Sequence, residues 1–235
     1  EWYLTNLASV MFVVGSFLFN PEYDRETLRW AAILFIVGSA FFLVSTGIIF
    51  IRNNCNTFED MGTSLNCILY MLANSPFVIG SVFFLPKLED NESFLISGLC
   101  FFIVGSLLFF CAPFYSVYRL YVSEVEIPRE YFVAEVTVAC FFCAGNAMFI
   151  VGSVFFLPAV NLNNPALQLF IFGSFAFLLA TFILTIKQGL EEFYVILSPG
   201  EWTRWLSNAE SVRTKGHGTI KSGATGHSQG ESTID

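Results

Sequence analysis

The chain has 235 residues, of which 55% are hydrophobic and only 13% are charged, and 29 of them are phenylalanine. So few charges exclude an ordinary soluble domain, in which about a quarter of the residues are charged. The net charge of −8 also argues against a nucleic-acid partner, because such a partner requires a basic face. These numbers predict an integral membrane protein with the lipid bilayer as its main partner.

Six apolar segments are long enough to cross a bilayer as helices, which takes about 20 residues each. We place these spans at about residues 2–20, 28–51, 65–86, 94–121, 131–157 and 167–190. Short polar loops rich in Asn, Asp and Pro follow the odd-numbered spans, at 20–27, 86–93 and 158–166. Connections this short predict antiparallel neighbours. The predicted fold class is therefore all-α: a polytopic membrane protein with six transmembrane helices in three hairpins, at 1–52, 65–121 and 131–190.

A segment with a different composition follows the last span. Residues 191–210 contain Ser198-Pro199-Gly200-Glu201, which is typical of a helix start, followed by Trp202 and Trp205. Because Trp prefers the headgroup region, we expect a short helix on the membrane surface, with docking of a partner protein as the alternative. Residues 211–235 have no apolar pattern and are expected to be a disordered tail.

One phrase, Phe-x-x-Gly-Ser-x-x-Phe, occurs once in each of the six spans. Its glycines are Gly15, Gly38, Gly80, Gly105, Gly152 and Gly173. The two Phe and the Gly share one stripe of a helix, so each helix carries a small notch between two aromatic side chains. In lipid, small residues mark helix contacts. We expect each hairpin to close on its own notches, with the serine either bonded to a carbonyl one turn back or bonded across helices.

Several polar side chains are expected inside the membrane. Asn74 and Asn146 stand six residues before their glycines, and with Ser81 and Ser153 they suit either a polar layer that joins helices or a solvated cavity. Glu135 lies just inside the fifth span. We expect it to form an interfacial ion pair with Arg119, at the facing end of the fourth span.

The motif also supports a family assignment. A helix that ends in Phe-Ile-Val-Gly-Ser-x-x-Phe-Phe-Leu-Pro, a short turn and a second Phe-x-x-Gly-Ser helix that closes on Arg resemble the YrhK-like domain family. The resemblance covers Trp2 to Arg52, about 65–119 and about 131–187, which implies three tandem two-helix membrane domains. It implies a helical hairpin in a membrane and no reaction.

The remaining residue types argue against common site chemistries. Both histidines, His217 and His227, lie in the tail, so no metal site is predicted in the spans. The pair Cys140 and Cys143 favours packing over redox chemistry, because no second pair and no His accompany it. Cys55 and Cys67 flank the second loop and could pair only if that loop faces an oxidising compartment. No catalytic constellation can be assembled, so an enzyme is not predicted.

The distribution of Lys and Arg predicts the orientation. Eight lie on the side of the termini, and three lie on the other side, namely Arg25, Arg29 and Lys87. This bias places the N- and C-termini in the cytoplasm.

We expect a non-catalytic structural or assembly subunit that packs in a homo- or hetero-oligomer. The alternatives are a small transporter or channel with an Asn- and Ser-lined path, and a subunit that holds lipid or pigment. No cofactor is predicted, although bound lipid or pigment would suit the aromatic helices.

Overall fold

A computed structural model describes residues 2–20, 22–52, 58–89, 91–122 and 129–197. These residues form seven helices: α1 (Trp2–Leu18), α2 (Arg25–Arg52), α3 (Phe58–Phe83), α4 (Pro86–Glu89), α5 (Glu92–Tyr121), α6 (Arg129–Phe156) and α7 (Asn163–Leu197). No strand occurs in the described ranges. The all-helical class predicted from the sequence is therefore confirmed.

The helix bounds differ most from the predicted spans in three places. Helix α3 begins at Phe58, seven residues before the predicted start at 65. The short helix α4 forms where only a loop was expected, because Pro86 is well suited to a first helical position. Helix α7 continues to Leu197, beyond the predicted end at 190. Of the predicted tail segments, only 191–197 are described, and Trp202 and Trp205 lie outside the described residues.

Five of the described helices are long and apolar enough to cross a membrane, namely α2, α3, α5, α6 and α7. Helix α1 is apolar but shorter, over Tyr3–Leu18. The predicted membrane character and the repeated architecture are thus supported by the lengths and compositions of these helices.

Side chains cap the helices that follow the short loops. The backbone N–H of Thr27 donates to Asp24 Oδ1 at 2.9 Å at the start of α2. Hydrogen bonds from the Thr27 side chain and backbone also lower the pKa of Asp24. The N-cap of α5 is Asn91, whose Oδ1 accepts from the Ser93 N–H at 3.0 Å. Before α7, Asn161 has a φ of 52°, a left-handed conformation that Asn tolerates well.

The chain divides into two compact units, residues 1–122 with 127–187, and residues 123–126 with 188–235. In the second unit the structure describes only 188–197, the helical end of α7. In the first unit the six long helices form three consecutive pairs: pair 1 (α1 and α2), pair 2 (α3 and α5) and pair 3 (α6 and α7 to Lys187). Contacts join α1 to α2, α2 to α3, α3 to α5 and α5 to α6. Aromatic contacts join α6 to α7, and hydrogen bonds join α7 to α1. The six helices therefore form a closed ring.

The ring has an approximate three-fold axis, which relates the three pairs. We call the end where α1, α3 and α6 finish the loop end. Twelve motif phenylalanines meet on the axis in four layers of three, counted from the loop end. Layer 1 is Phe19, Phe84 and Phe156; layer 2 is Phe35, Phe102 and Phe170; layer 3 is Phe12, Phe77 and Phe149; layer 4 is Phe42, Phe109 and Phe177.

The three rings of layer 2 are in mutual contact across the axis. In layer 2 the ring centroids of Phe35 and Phe102 are 5.9 Å apart, those of Phe102 and Phe170 are 5.9 Å apart, and those of Phe35 and Phe170 are 6.3 Å apart. These separations lie within the favourable range for aromatic pairs. The hydrophobic core is thus a column of phenylalanine rings, not a space between separate hairpins.

Candidate functional site

The motif glycines lie at the seams within the helix pairs, where each faces the partner helix. A Cβ added at Gly80 would be 2.7 Å from the Phe102 ring and 2.9 Å from the carbonyl oxygen of Gly98. Conversely, a Cβ at Gly105 would be 2.8 Å from the Phe77 ring. In pair 1 and pair 3, Gly15 and Gly152 likewise face a phenylalanine ring, that of Phe35 and Phe170, whereas Gly38 and Gly173 lie closest to the carbonyl oxygens of Ala8 and Gly145, at 3.2 and 3.1 Å. Each glycine therefore allows close approach of the partner helix, and four of the six lie against a phenylalanine ring that reaches the axis.

A second small residue completes every seam, and it was not predicted from the sequence. Seven residues before each motif glycine stands Ala or Gly: Ala8, Ala31, Ala73, Gly98, Gly145 and Ala166. Its carbonyl oxygen is the backbone atom that the partner's motif glycine approaches, for example Ala73 O for Gly105 and Ala166 O for Gly152. A seven-residue spacing returns to the same helix face, so the repeat of small residues could have revealed this contact.

The motif serines of α1 and α7, one residue after the glycines, lie on a different seam, between pair 1 and pair 3. Between α1 and α7, Ser16 Oγ is 2.8 Å from Ser174 Oγ and 3.3 Å from the Phe170 carbonyl oxygen. Thr181 Oγ1 donates to Ser9 Oγ at 3.2 Å on the same seam. Because consecutive residues are about 100° apart on a helix, one Gly-Ser dipeptide serves both kinds of seam.

The other motif serines behave differently. Ser81 donates to the Phe77 carbonyl one turn back at 2.7 Å. The hydroxyls of Ser39, Ser106 and Ser153 are buried, and no hydrogen-bond partner is found for them among the described residues. Both alternatives expected from the sequence therefore occur: Ser81 bonds to a carbonyl one turn back, whereas Ser16 bonds across helices.

We expect Ser16→Ala to destabilise the protein more than Ser153→Ala. Ser16 bridges α1 and α7, whereas Ser153 has no partner to lose in the described structure. Hydrogen bonds between membrane helices contribute about 0.6 kcal/mol on average, and up to about 1.7. Thermal unfolding of both variants in the same detergent measures the difference. Equal midpoints would contradict the role assigned to the α1–α7 seam.

The two predicted intramembrane asparagines lie fully inside the ring. Asn74 and Asn146 are 1% and 0% exposed. Each donates its Nδ2 to the carbonyl one turn back, Asn74 to Tyr70 O at 2.9 Å and Asn146 to Phe142 O at 2.7 Å. Asn74 also lines a cavity of about 10 Å³ between layers 3 and 4. A space of this size holds about one water molecule.

The predicted pair of Glu135 with Arg119 is wrong. Glu135 Oε2 accepts from Lys187 Nζ at 2.6 Å, and the two side chains are only 17% and 9% exposed. Lys187 Nζ also lies 3.7 Å from the centre of the Tyr131 ring, a cation–π contact. Arg119 instead packs on α3 at Gly62 and donates to Thr63 Oγ1 at 3.1 Å. The reason is that α7 runs beside α6, so Lys187 returns to the depth of Glu135.

A larger cavity lies at the loop end, beyond layer 1. Its volume is about 300 Å³. The three phenylalanines of layer 1 line it together with Leu28, Leu95, Pro158, Asn161 and Asn163. We call this cavity the vestibule.

Other predicted features give no site. No cluster of three or more His, Cys, Asp or Glu side chains suited to a metal ion occurs in the described ranges. Cys140 is exposed on the outer face of α6, and Cys143 is partly exposed. Cys67 is buried, and Cys55 lies outside the described residues.

Comparison with known proteins agrees with the internal repeat. The family model of YrhK-like proteins matches the chain three times, at residues 2–54, 63–120 and 131–188. Each match coincides with one helix pair. No curated protein and no solved structure matches the chain. Because the three matches together span well over half of the sequence, the chain belongs to the YrhK-like family, as three tandem copies of its two-helix unit.

Proposed function

We propose that the protein is a six-span, non-catalytic membrane subunit that serves as a structural scaffold. Helix α1 supplies the sixth span, since it occupies the same place in pair 1 as α3 in pair 2 and α6 in pair 3. Its glycine, Gly15, faces Phe35 as Gly80 faces Phe102. A shorter helix can still span if the bilayer thins or its flanking residues reach the interface.

The observation that carries this proposal is the filled axis. Four layers of phenylalanine close the centre of the ring, and the enclosed space between layers 3 and 4 is about 10 Å³. A conduction path normally needs a wet, charged or carbonyl-lined route. The filled axis therefore favours a scaffold over a transporter or channel with Asn74, Asn146, Ser81 and Ser153 along its path.

The outer surface suits contact with lipid and with other apolar chains. Every helix of the ring exposes large apolar side chains, for example Phe17, Val44, Leu72, Leu107, Val133 and Phe172, each more than 40% exposed. Exposed apolar area of this extent on all sides is expected for a protein embedded in lipid. The oligomer that we propose would form through this surface, with both termini in the cytoplasm according to the bias of Lys and Arg.

Ion flux in liposomes tests the scaffold against the channel. We expect purified protein to give K⁺, Na⁺, Cl⁻ and H⁺ fluxes no higher than those of protein-free liposomes, because the axis is closed. A flux above that background would contradict the scaffold. It would support the polar path if Asn146→Leu reduced it and Leu107→Ala, on the outer face, did not. Native mass spectrometry after gentle solubilisation should find the protein in stoichiometric complexes, and a bare monomer would count against an assembly role.

A further inference from the structure

The vestibule departs from the three-fold repeat at one position on its wall. Pair 1 contributes Leu28 and pair 2 contributes Leu95, each ten residues before its motif glycine. At the same position pair 3 contributes Asn163. Asn163 Nδ2 donates to Asn161 Oδ1 at 3.2 Å, so two amide groups stand together on one side of an otherwise apolar cavity. The vestibule is therefore an apolar cavity with polar groups on one side, as is usual for a small-molecule binding site.

The location of the vestibule determines how a ligand would reach it. Its floor is layer 1, where Phe19 and Phe84 have ring centroids 5.2 Å apart and Phe19 and Phe156 have centroids 6.0 Å apart. Its outer lining includes Pro158 and Asn161, which are exposed. The three short loops each join a floor residue to a wall residue, so they lie at the same end of the bundle, and we call their described residues the rim. The vestibule therefore lies beside these loops, at the loop end of the bundle.

The charges of these loops favour a cation. Residues 20–29, 84–93 and 157–166 contain six acidic and three basic residues. The acidic residues are Glu22, Asp24, Glu26, Glu89, Asp90 and Glu92, and the basic residues are Arg25, Arg29 and Lys87. A negative rim raises the local concentration of cations and repels anions.

We propose that the vestibule binds a small organic cation with an apolar body, such as an aryl- or alkylammonium ion. The apolar body rests on layer 1 between Leu28 and Leu95, and the ammonium N–H groups donate to the amide oxygens of Asn161 and Asn163. This binding activity goes beyond the scaffold role and does not depend on it.

The test measures binding of benzylammonium to the full chain in nanodiscs of zwitterionic lipid, by saturation-transfer NMR with empty nanodiscs as the blank. Benzoate, which has a similar size and the opposite charge, is the matched ligand. We expect saturable binding of benzylammonium and at least about tenfold weaker binding of benzoate, because of the negative rim. Asn163→Leu should weaken benzylammonium binding about fivefold, the equivalent of one hydrogen bond.

Filling the cavity provides the site-specific control. Leu95→Trp places a large ring in the vestibule and should reduce affinity at least about tenfold. Leu107→Trp makes the same change on the outer face of the same helix, where Leu107 is 53% exposed, and should leave binding unchanged. Leu28→Trp repeats the test from another helix pair, in case Leu95→Trp fails to fold. Absent or non-saturable binding, equal binding of benzoate, or binding that neither vestibule tryptophan reduces would overturn the proposal.

Discussion

Replacing Gly80 with leucine is expected to abolish the folded state, whereas the same replacement at Gly47 should be tolerated. A Cβ at Gly80 would already lie 2.9 Å from the Gly98 carbonyl oxygen and 2.7 Å from the Phe102 ring. Backbone cannot move aside as a flexible side chain can, so α3 and α5 would have to separate. Extra methylenes in a packed interior cost about 1 to 3 kcal/mol, and Gly80→Ala should fall in that range. Leucine should exceed it.

Gly47 is the matched control, because it lies in a motif-bearing helix with no atom within 4 Å of its added Cβ in the described structure. Unfolding midpoints of Gly80→Ala, Gly80→Leu, Gly47→Ala and Gly47→Leu in one detergent provide the comparison. Gly47→Ala should be neutral or slightly stabilising, since alanine favours helix over glycine by about 1 kcal/mol. If leucine lowered the midpoint equally at both positions, the notch would have no role in packing.

The second large effect is expected from Lys187→Met. This change leaves the Glu135 carboxylate without its 2.6 Å partner at a site where that side chain is only 17% exposed. Removing one partner of a buried ion pair costs about 3 to 5 kcal/mol, because the remaining charge is desolvated and unpaired. We expect a comparable loss of stability from Lys187→Met, and the loss of the cation–π contact with Tyr131 adds to it.

A double variant separates the unpaired charge from the loss of packing. Glu135→Gln with Lys187→Met contains no charge at this position, so it should recover most of the stability that Lys187→Met loses. Thermal unfolding of the wild type, both single variants and the double variant forms the complete cycle. A double variant as unstable as the sum of the two single changes would show that the pair is not coupled.

Much of the architecture follows from the sequence because the signal is repeated six times. Composition and span length predict apolar helices, and the motif marks the face of each helix that carries its small residue. The YrhK-like resemblance, found through the same residues, is confirmed by the three family matches. These features are local or periodic, so they can be recognised from the sequence alone.

The closed ring could not be predicted in the same way. A stripe of Phe, Gly and Phe identifies a helix face, but it does not specify whether three pairs stand apart or share one axis. The four aromatic layers depend on how α2 meets α3, α5 meets α6 and α7 meets α1, which the short loops do not dictate. The same limit explains the wrong partner for Glu135, because Arg119 and Lys187 both lie at the correct end of their helices. The order of the helices around the ring decides which of these two residues pairs with Glu135.

Closure of the ring is tested most directly by cross-linking α1 to α7. In a protein whose native cysteines are replaced by serine, Ser16→Cys combined with Ser174→Cys should form a disulfide under mild oxidation, because the two hydroxyl oxygens are 2.8 Å apart. Ser16→Cys combined with Ser153→Cys is the control, since Ser153 lies on α6, which α7 separates from α1 in the ring, and it is on the same side of the cleavage site as Ser174. After cleavage within 123–128, the fragments of the first pair should remain joined until reduction, and those of the control should separate. Fragments of the first pair that separate without reductant, or cross-links that form as readily through Ser153→Cys, would contradict a closed ring of three helix pairs around a phenylalanine axis.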